Sequence, residues 1–299
     1  MARIIEQSTD FVDQETIRLE IVQQALCSST LYTTMKDEIF LLCSRNSANL
    51  FINVFDRNNI EEVKEIIPLP RSRPVSLAAC SVSNCVYVLN RKVHKLNHVS
   101  VMRIARDGEQ WVVSTLIGDL CMPKSMLCVA ENGSLILSRD QSKLCDAISM
   151  YDANGSLQQT VRTPSDTGKL WKIIPKSGGN LVLVSHNERS EIELTEIDLS
   201  GTVVRRYQSP CDVDLFPSEF VGRADQFGRV LIIIDGANRM ELLDSEFNPI
   251  DVTCPQLDES QLTDLCELHY NSERNELVAV LFDQDYSNGV LTIFQLKEI

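Results

Sequence analysis

The chain has 299 residues, 43% hydrophobic and 23% charged, proportions that exclude a disordered or low-complexity protein. A formal net charge of −14 repels phosphate backbones over the Debye length, so nucleic acid is disfavoured as a default partner. No run approaches the roughly 18 apolar residues of a membrane span, and polar and acidic residues interrupt Met1–Gln7 before a signal-peptide core can form, which predicts a soluble, cytoplasmic chain.

The first 15 residues read as a tail of unassigned structure, and Thr16–Val22 then alternates apolar with polar and charged residues, as a half-exposed outer strand does. From there the chain repeats one unit. Short apolar runs lie at Asp37–Arg45, Asn84–Lys92, Gly133–Asp140, Gly179–His186, Gly228–Asp235 and Asn275–Asp283, and each is followed by a second run that begins near Ile52, Val101, Ile148, Leu194, Met240 or Leu291. The clearest copy is Gly228–Asp244, where Val230–Ile234 meets the turn signal Asp235-Gly236-Ala237-Asn238, so each pair reads as a β-hairpin. Asp152, Asp198 and Asp244 close successive second runs at a spacing of 46 residues, which marks an array.

Two further strands are predicted per unit. One follows the hairpin, as in Val63–Pro70, Trp111–Gly118, Leu157–Pro164, Val203–Pro210 and Ile250–Pro255; the other precedes it, as in Ser76–Val82, Ser125–Glu131, Leu170–Pro175, Glu219–Asp225 and Asp264–Tyr270. Trp111 and Trp171 are expected in the core. Long 3.6-residue periodicity is lacking. The class is all-β, and the arrangement is a six-bladed β-propeller of four-stranded antiparallel blades over residues 16–299. The last unit lacks a fourth strand, so the propeller is expected to close by pairing the N-terminal strand with the C-terminal blade, which leaves no long exposed edge.

Ten cysteines occur without a C-x-x-C pair, and Cys80 with Cys85 does not have the spacing of a structural zinc site. Cys43, Cys80, Cys128 and Cys266 fall inside apolar runs, where a reduced thiol behaves as a small hydrophobe and fits a reducing compartment.

The stretch from Pro217 to Asp244, with its Pro, Gly228, apolar strand to Asp235, Asn238-Arg239 and closing turn, resembles the NHL repeat, and Met122–Gly155 is the next best match. The resemblance implies a six-bladed propeller. It also implies the roles such domains have elsewhere: binding RNA or protein substrates in tripartite-motif ubiquitin ligases, or metal-dependent lyase chemistry in the peptide-amidating enzyme. No RING, B-box or coiled-coil region precedes the array, so kinship with the ligases would make this chain a recognition module alone.

His94 and His98 share an i, i+4 spacing, but the short polar segment around them reads as a solvated loop; His186 opens a reversal and His269 ends a strand. Lactonase-like propellers hold calcium through acidic loop residues, for which Asp212, Asp214, Asp258, Glu259, Asp283 and Asp285 are the candidates. Their family motifs are missing, and neither catalytic residues nor a metal or other cofactor is assigned. Charge is more informative. Residues 60–109 carry eight basic and five acidic side chains, whereas 211–299 carry five basic and 18 acidic. The loop face of blade two is expected to present Arg71, Arg73, Arg91, Lys92, His94, Lys95 and His98, opposite Asp212, Asp214, Asp258, Glu259, Asp283 and Asp285 on blades four to six, with Phe216 and Tyr286 as apolar anchors. Such a bipolar face suits a protein partner of complementary charge. The expected function is a non-catalytic interaction platform, monomeric by default, with an RNA-binding propeller and a metal-dependent hydrolase or lyase as the alternatives.

Overall fold

A computed structural model describes residues 16–27, 32–46, 49–70, 73–92, 95–121, 126–138, 147–186, 192–209, 220–224, 227–234, 239–253, 265–271, 274–282 and 289–298. These residues are strands and turns throughout, with no helix among them. The chain begins with β1 (Thr16–Cys27). The first blade follows as β2 (Tyr32–Met35), β3 (Glu38–Asn46), β4 (Asn49–Asp56) and β5 (Asn59–Pro68). The second is β6 (Arg73–Cys80), β7 (Cys85–Lys92), β8 (Lys95–Asp107) and β9 (Gln110–Cys121). The third is β10 (Met126–Val129), β11 (Leu135–Ser138), β12 (Ala147–Tyr151) and β13 (Leu157–Arg162), and the fourth is β14 (Lys169–Pro175), β15 (Leu181–His186), β16 (Ile192–Ile197) and β17 (Val203–Gln208). Then come β18 (Phe220–Ala224), β19 (Val230–Ile234), β20 (Arg239–Leu243) and β21 (Pro249–Thr253), and finally β22 (Leu265–Asn271), β23 (Glu276–Phe282) and β24 (Gly289–Glu298).

Within each set the strands pair antiparallel in chain order, and β2, β6, β10, β14, β18 and β22 adjoin cyclically, with β22 returning to β2. That is a propeller arrangement. Hydrogen bonding divides the described strands into five sheets, however, and not six: four of four strands and one of eight, ordered β18-β19-β20-β21-β1-β24-β23-β22. The cause is the N-terminal strand. From Ile17 to Cys27 it pairs antiparallel with β24, as expected for closure, but Thr16–Arg18 also run parallel to Asp251–Thr253 of β21 and fuse the last two sets. At 12 residues β1 overruns its own blade and reaches the next outer edge.

The core lies in the seams between blades. Second strands such as Cys85-Val86-Tyr87-Val88-Leu89 are buried on both faces, because successive side chains point to opposite neighbours. Phe40, Ile52 and Val54 of blade one pack with Val86, Val88 and Ile104 of blade two, whereas Tyr87, Leu89 and Val101 turn the other way, onto Leu127, Leu135 and Leu137 of blade three. Outer strands face one neighbour only. In β13 just Val161 of six residues is buried, which explains a run as polar as LQQTVR.

The invariant spacing of Asp152, Asp198 and Asp244 has a local cause. Each carboxylate accepts backbone N–H groups from residues two and four further on, at 2.7–2.9 Å, capping the turn between third and fourth strands. Trp111 is a correction: it is half-buried at the rim of the first seam, edge-on to Phe40, with its Nε1–H donating to Glu65 at 2.6 Å and the Arg106 guanidinium 4.3 Å above its ring. An indole with a polar N–H settles where one edge is apolar and the other can find a carboxylate. Trp171 is likewise only partly buried, its ring edge-on to His186.

Candidate functional site

At the end of blade two, β7 passes from the buried Cys85–Asn90 into Arg91 and Lys92, and the register sets cation against cation. Arg73 at the start of β6 lies opposite Arg91, and Lys92 lies opposite Lys95 at the start of β8. Like charges directly across a ladder are destabilising. Arg73 is exposed, while Arg91 is partly buried, with an Nε that has no hydrogen-bond partner among the described residues.

One carboxylate enters this cluster through a distortion of the outer strand. Val99 pairs with Leu120 and Val101 with Ile117, so Ser100 spans both Gly118 and Asp119, and the register shifts there. Such a bulge re-aims a side chain. Asp119 thereby reaches His98, with Oδ1 2.6 Å from Nδ1, while its Oδ2 lies 3.0 Å from Lys92 Nζ. The hydrogen bond from Lys92 is the largest cause; with the hydrogen bond from His98 and the attraction of both groups it outweighs desolvation and holds the Asp119 carboxyl at about 2. His98 is thus a strand residue with its own partner, and not part of the expected solvated loop. Its side chain is 29% exposed, and the free, exposed Cys121 lies directly across from it in register.

A histidine oriented by a carboxylate beside a thiol is the composition of a nucleophile, a base and an orienting group. Here it spans the two outer strands, with His98 on β8 and Asp119 and Cys121 on β9, most of whose residues are exposed or half-buried. Small-molecule chemistry prefers a concave, desolvated site. The arrangement fixes charged side chains at the surface of the blade.

Of the residues singled out in the sequence, Arg73, Arg91, Lys92 and His98 are brought together, and Lys95 joins them by register. Arg71, His94, Asp212, Asp214, Phe216, Asp258, Glu259, Asp283, Asp285 and Tyr286 lie outside the described residues. Asp119 and Cys121 were not foreseen, because the outer strand was predicted to end at Gly118, whereas β9 runs on to Cys121; the only sequence signal was Gly118-Asp119, a pair suited to a bulge, at that predicted end. Among the described residues no group of three or more His, Cys, Asp or Glu is placed to hold a metal, and no helix is long and apolar enough to cross a membrane.

These features define a protein of the β-propeller class, and solved structures agree on the fold. The chain is similar to the PQQ-bound aldose sugar dehydrogenase from Streptomyces coelicolor, with a TM-score of 0.60 at 11% identity over 94% of this chain and 98% of that one. It is similar to virginiamycin B lyase from Staphylococcus aureus, with a TM-score of 0.50 at 10% identity over 95% and 100%. A chain of the mitotic checkpoint complex matches with a TM-score of 0.50 at 10% identity over 88% and 76%. At such identities the likeness is one of fold, and it spans enzymes and an assembly alike. No family model matches, that of the NHL repeat included, and no curated protein matches.

Proposed function

We propose that residues 16–299 form one six-bladed propeller of NHL type, with residues 1–15 as a tail, working in the cytoplasm as a non-catalytic platform that binds an acidic protein segment at the loop end of blade two. The observation that carries this reading is the like-charge register of Arg73 with Arg91 and Lys92 with Lys95. Opposed cations weaken a ladder, and an anionic partner offsets that repulsion on binding. The Lys92–Asp119–His98 contacts hold the rim of the cluster in a fixed geometry, so less side-chain freedom is lost when a partner docks. The acidic residues read from the sequence in blades four to six are proposed to make the same face bipolar and so to set the orientation of the partner.

Affinity capture from the source cell, comparing the wild type with an Arg73→Glu, Arg91→Glu, Lys92→Glu, Lys95→Glu variant, tests the proposal. The expected result is a protein partner that resists nuclease and is lost with charge reversal. Recovery of nucleic acid whose binding falls steeply with salt would replace the platform with an RNA-binding propeller. A partner retained by the reversed variant would remove this face from the function.

A further inference from the structure

At the opposite end of blade two the hairpin between β6 and β7 closes on two cysteines. Cys80 and Cys85 are direct cross-strand partners. Ser83, in the four-residue turn between them, places its Oγ 2.9 Å from Cys80 Sγ, 3.4 Å from Cys85 Sγ and 3.2 Å from Tyr87 Oη. Tyr87 follows Cys85 by two residues on the same face, and Arg103 is the partner of Tyr87 on β8. Two thiols, a serine hydroxyl, a phenol and a guanidinium therefore converge on one face of one blade. The surroundings are apolar: Cys80 and Cys85 are 2% and 0% exposed and pack with Leu127, Leu135 and Leu137 of blade three.

A polar island in an apolar seam costs desolvation unless its members satisfy one another. Two buried thiols serving only as small hydrophobes need neither a guanidinium nor a phenol beside them. The Cys80 thiol, donating to Cys85, holds the Cys85 thiol down at about 5; burial opposes this, and hydrogen bonds from Ser83, Tyr87 and Arg103 reinforce it. Cys80 is pushed up, first by that shared proton and then by burial. These opposite directions favour the thiolate at Cys85 and the proton at Cys80. The turn 81–84 covers the pair together with Gly133 of blade three, whose carbonyl lies 4.0 Å from Cys80 Sγ; in the turn Val82 is 67% exposed and Asn84 has a φ of 45°.

We propose that Cys80 and Cys85 are a thiol-modification site, in which Cys85 reacts with a hydroperoxide and Cys80 then closes a cross-strand disulfide. The Cys85 thiolate attacks one peroxide oxygen, forming a sulfur–oxygen bond as the oxygen–oxygen bond breaks; with hydrogen peroxide the leaving hydroxide takes a proton and departs as water. Cys80 sulfur then attacks the Cys85 sulfenic acid, a sulfur–sulfur bond forms, and the hydroxyl leaves as a second water with the Cys80 proton. Two thiols are oxidised by two electrons and one peroxide is reduced to two waters. Burial of both sulfurs excludes large disulfides and confines the reaction to an oxidant as small as hydrogen peroxide. Directly opposed cysteines on adjacent strands start close to the span a disulfide needs.

The test uses the reduced full chain, treated with hydrogen peroxide, quenched with N-ethylmaleimide and mapped by peptide mass spectrometry. Expected is a peptide containing Cys80 linked to Cys85, restored to two alkylated thiols by dithiothreitol. Cys80→Ser should accumulate a dimedone adduct at Cys85, and Arg103→Gln should slow disulfide formation roughly tenfold by raising the thiol. The wild-type mapping needs no variant to fold. If Cys80 and Cys85 remain alkylated while the exposed Cys121 is oxidised, the proposal fails; it fails equally if dimedone in Cys80→Ser marks Cys121 and not Cys85.

Discussion

Phe247 occupies, at a φ of 70°, the position in its turn that Gly201 holds at 87° one blade earlier and Gly155 at 78° two blades earlier. The glycines are required by contact as well as by φ. A Cβ on Gly201 would lie 2.4 Å from the Arg162 carbonyl oxygen, and one on Gly155 would lie 2.8 Å from that of Leu116, each on the outer strand of the preceding blade. In the next turn a buried ring takes that place, with Lys176 Nζ 5.3 Å and Arg205 Cζ 5.9 Å from its centroid. Gly201→Ala should therefore cost roughly 2–4 kcal/mol. Phe247→Ala should cost about 3 kcal/mol, from lost burial with the left-handed strain retained. Phe247→Gly should recover about 1 kcal/mol of that strain while still being less stable than the wild type. Urea denaturation of the three variants checks the order.

Lys176 and Glu196 form a buried pair at 2.9 Å, with Asn180 and the Ser245 carbonyl satisfying further positions. Glu196 also lies 3.1 Å from the partly exposed Arg205, so its loss strands the buried Lys176 charge, whereas loss of Lys176 leaves the carboxylate a cation. Glu196→Gln is expected to cost about 3–5 kcal/mol, Lys176→Met less, and the double variant clearly less than the sum. A double-mutant cycle by chemical denaturation gives the coupling directly.

Removing any one of the turn-capping carboxylates, Asp152, Asp198 or Asp244, by alanine should cost about 1 kcal/mol, since two backbone N–H groups lose their acceptor at an exposed turn where water replaces it in part. The three turns lie in different blades, so their effects should add. Thermal unfolding of the single and triple variants tests this; a triple variant far from the sum would show that the turns are coupled.

The Asp119 carboxyl is lowered from an ordinary 3.8 to about 2 in the folded state. A depressed folded value stabilises above the unfolded value and is lost as pH falls through the folded one. The contribution is therefore complete above about pH 4 and vanishes between there and about pH 2. Asp119→Asn should flatten the acid limb of the stability profile in that window and leave its slope near neutrality unchanged, as read by denaturant midpoints across pH. An unchanged acid limb would mean that the Lys92 and His98 contacts do not persist in solution.

Much of the fold was legible because its determinants are local. Alternating Val, Ile and Leu between Gly, Asp and Asn turns defines a hairpin from neighbours in sequence, and repetition of that pattern announces an array. The missing fourth strand of the last unit, with the alternation at Thr16–Val22, foretold the pairing of β1 with β24. The basic run from Arg73 to His98 was likewise visible as charge. Register over distance was not visible. That β1 would also join β21 depends on how far a 12-residue strand overruns its blade. That Asp119 would reach His98 depends on one bulge, and that Ser83, Tyr87 and Arg103 would gather around two cysteines depends on which face of a strand looks at the next blade. The sequence by itself determined the repeating hairpins and their turns, because turn chemistry and a two-residue period act within a few residues. Only the tertiary structure decided which side chains meet, because a shift of one residue in register sends each side chain to the opposite face.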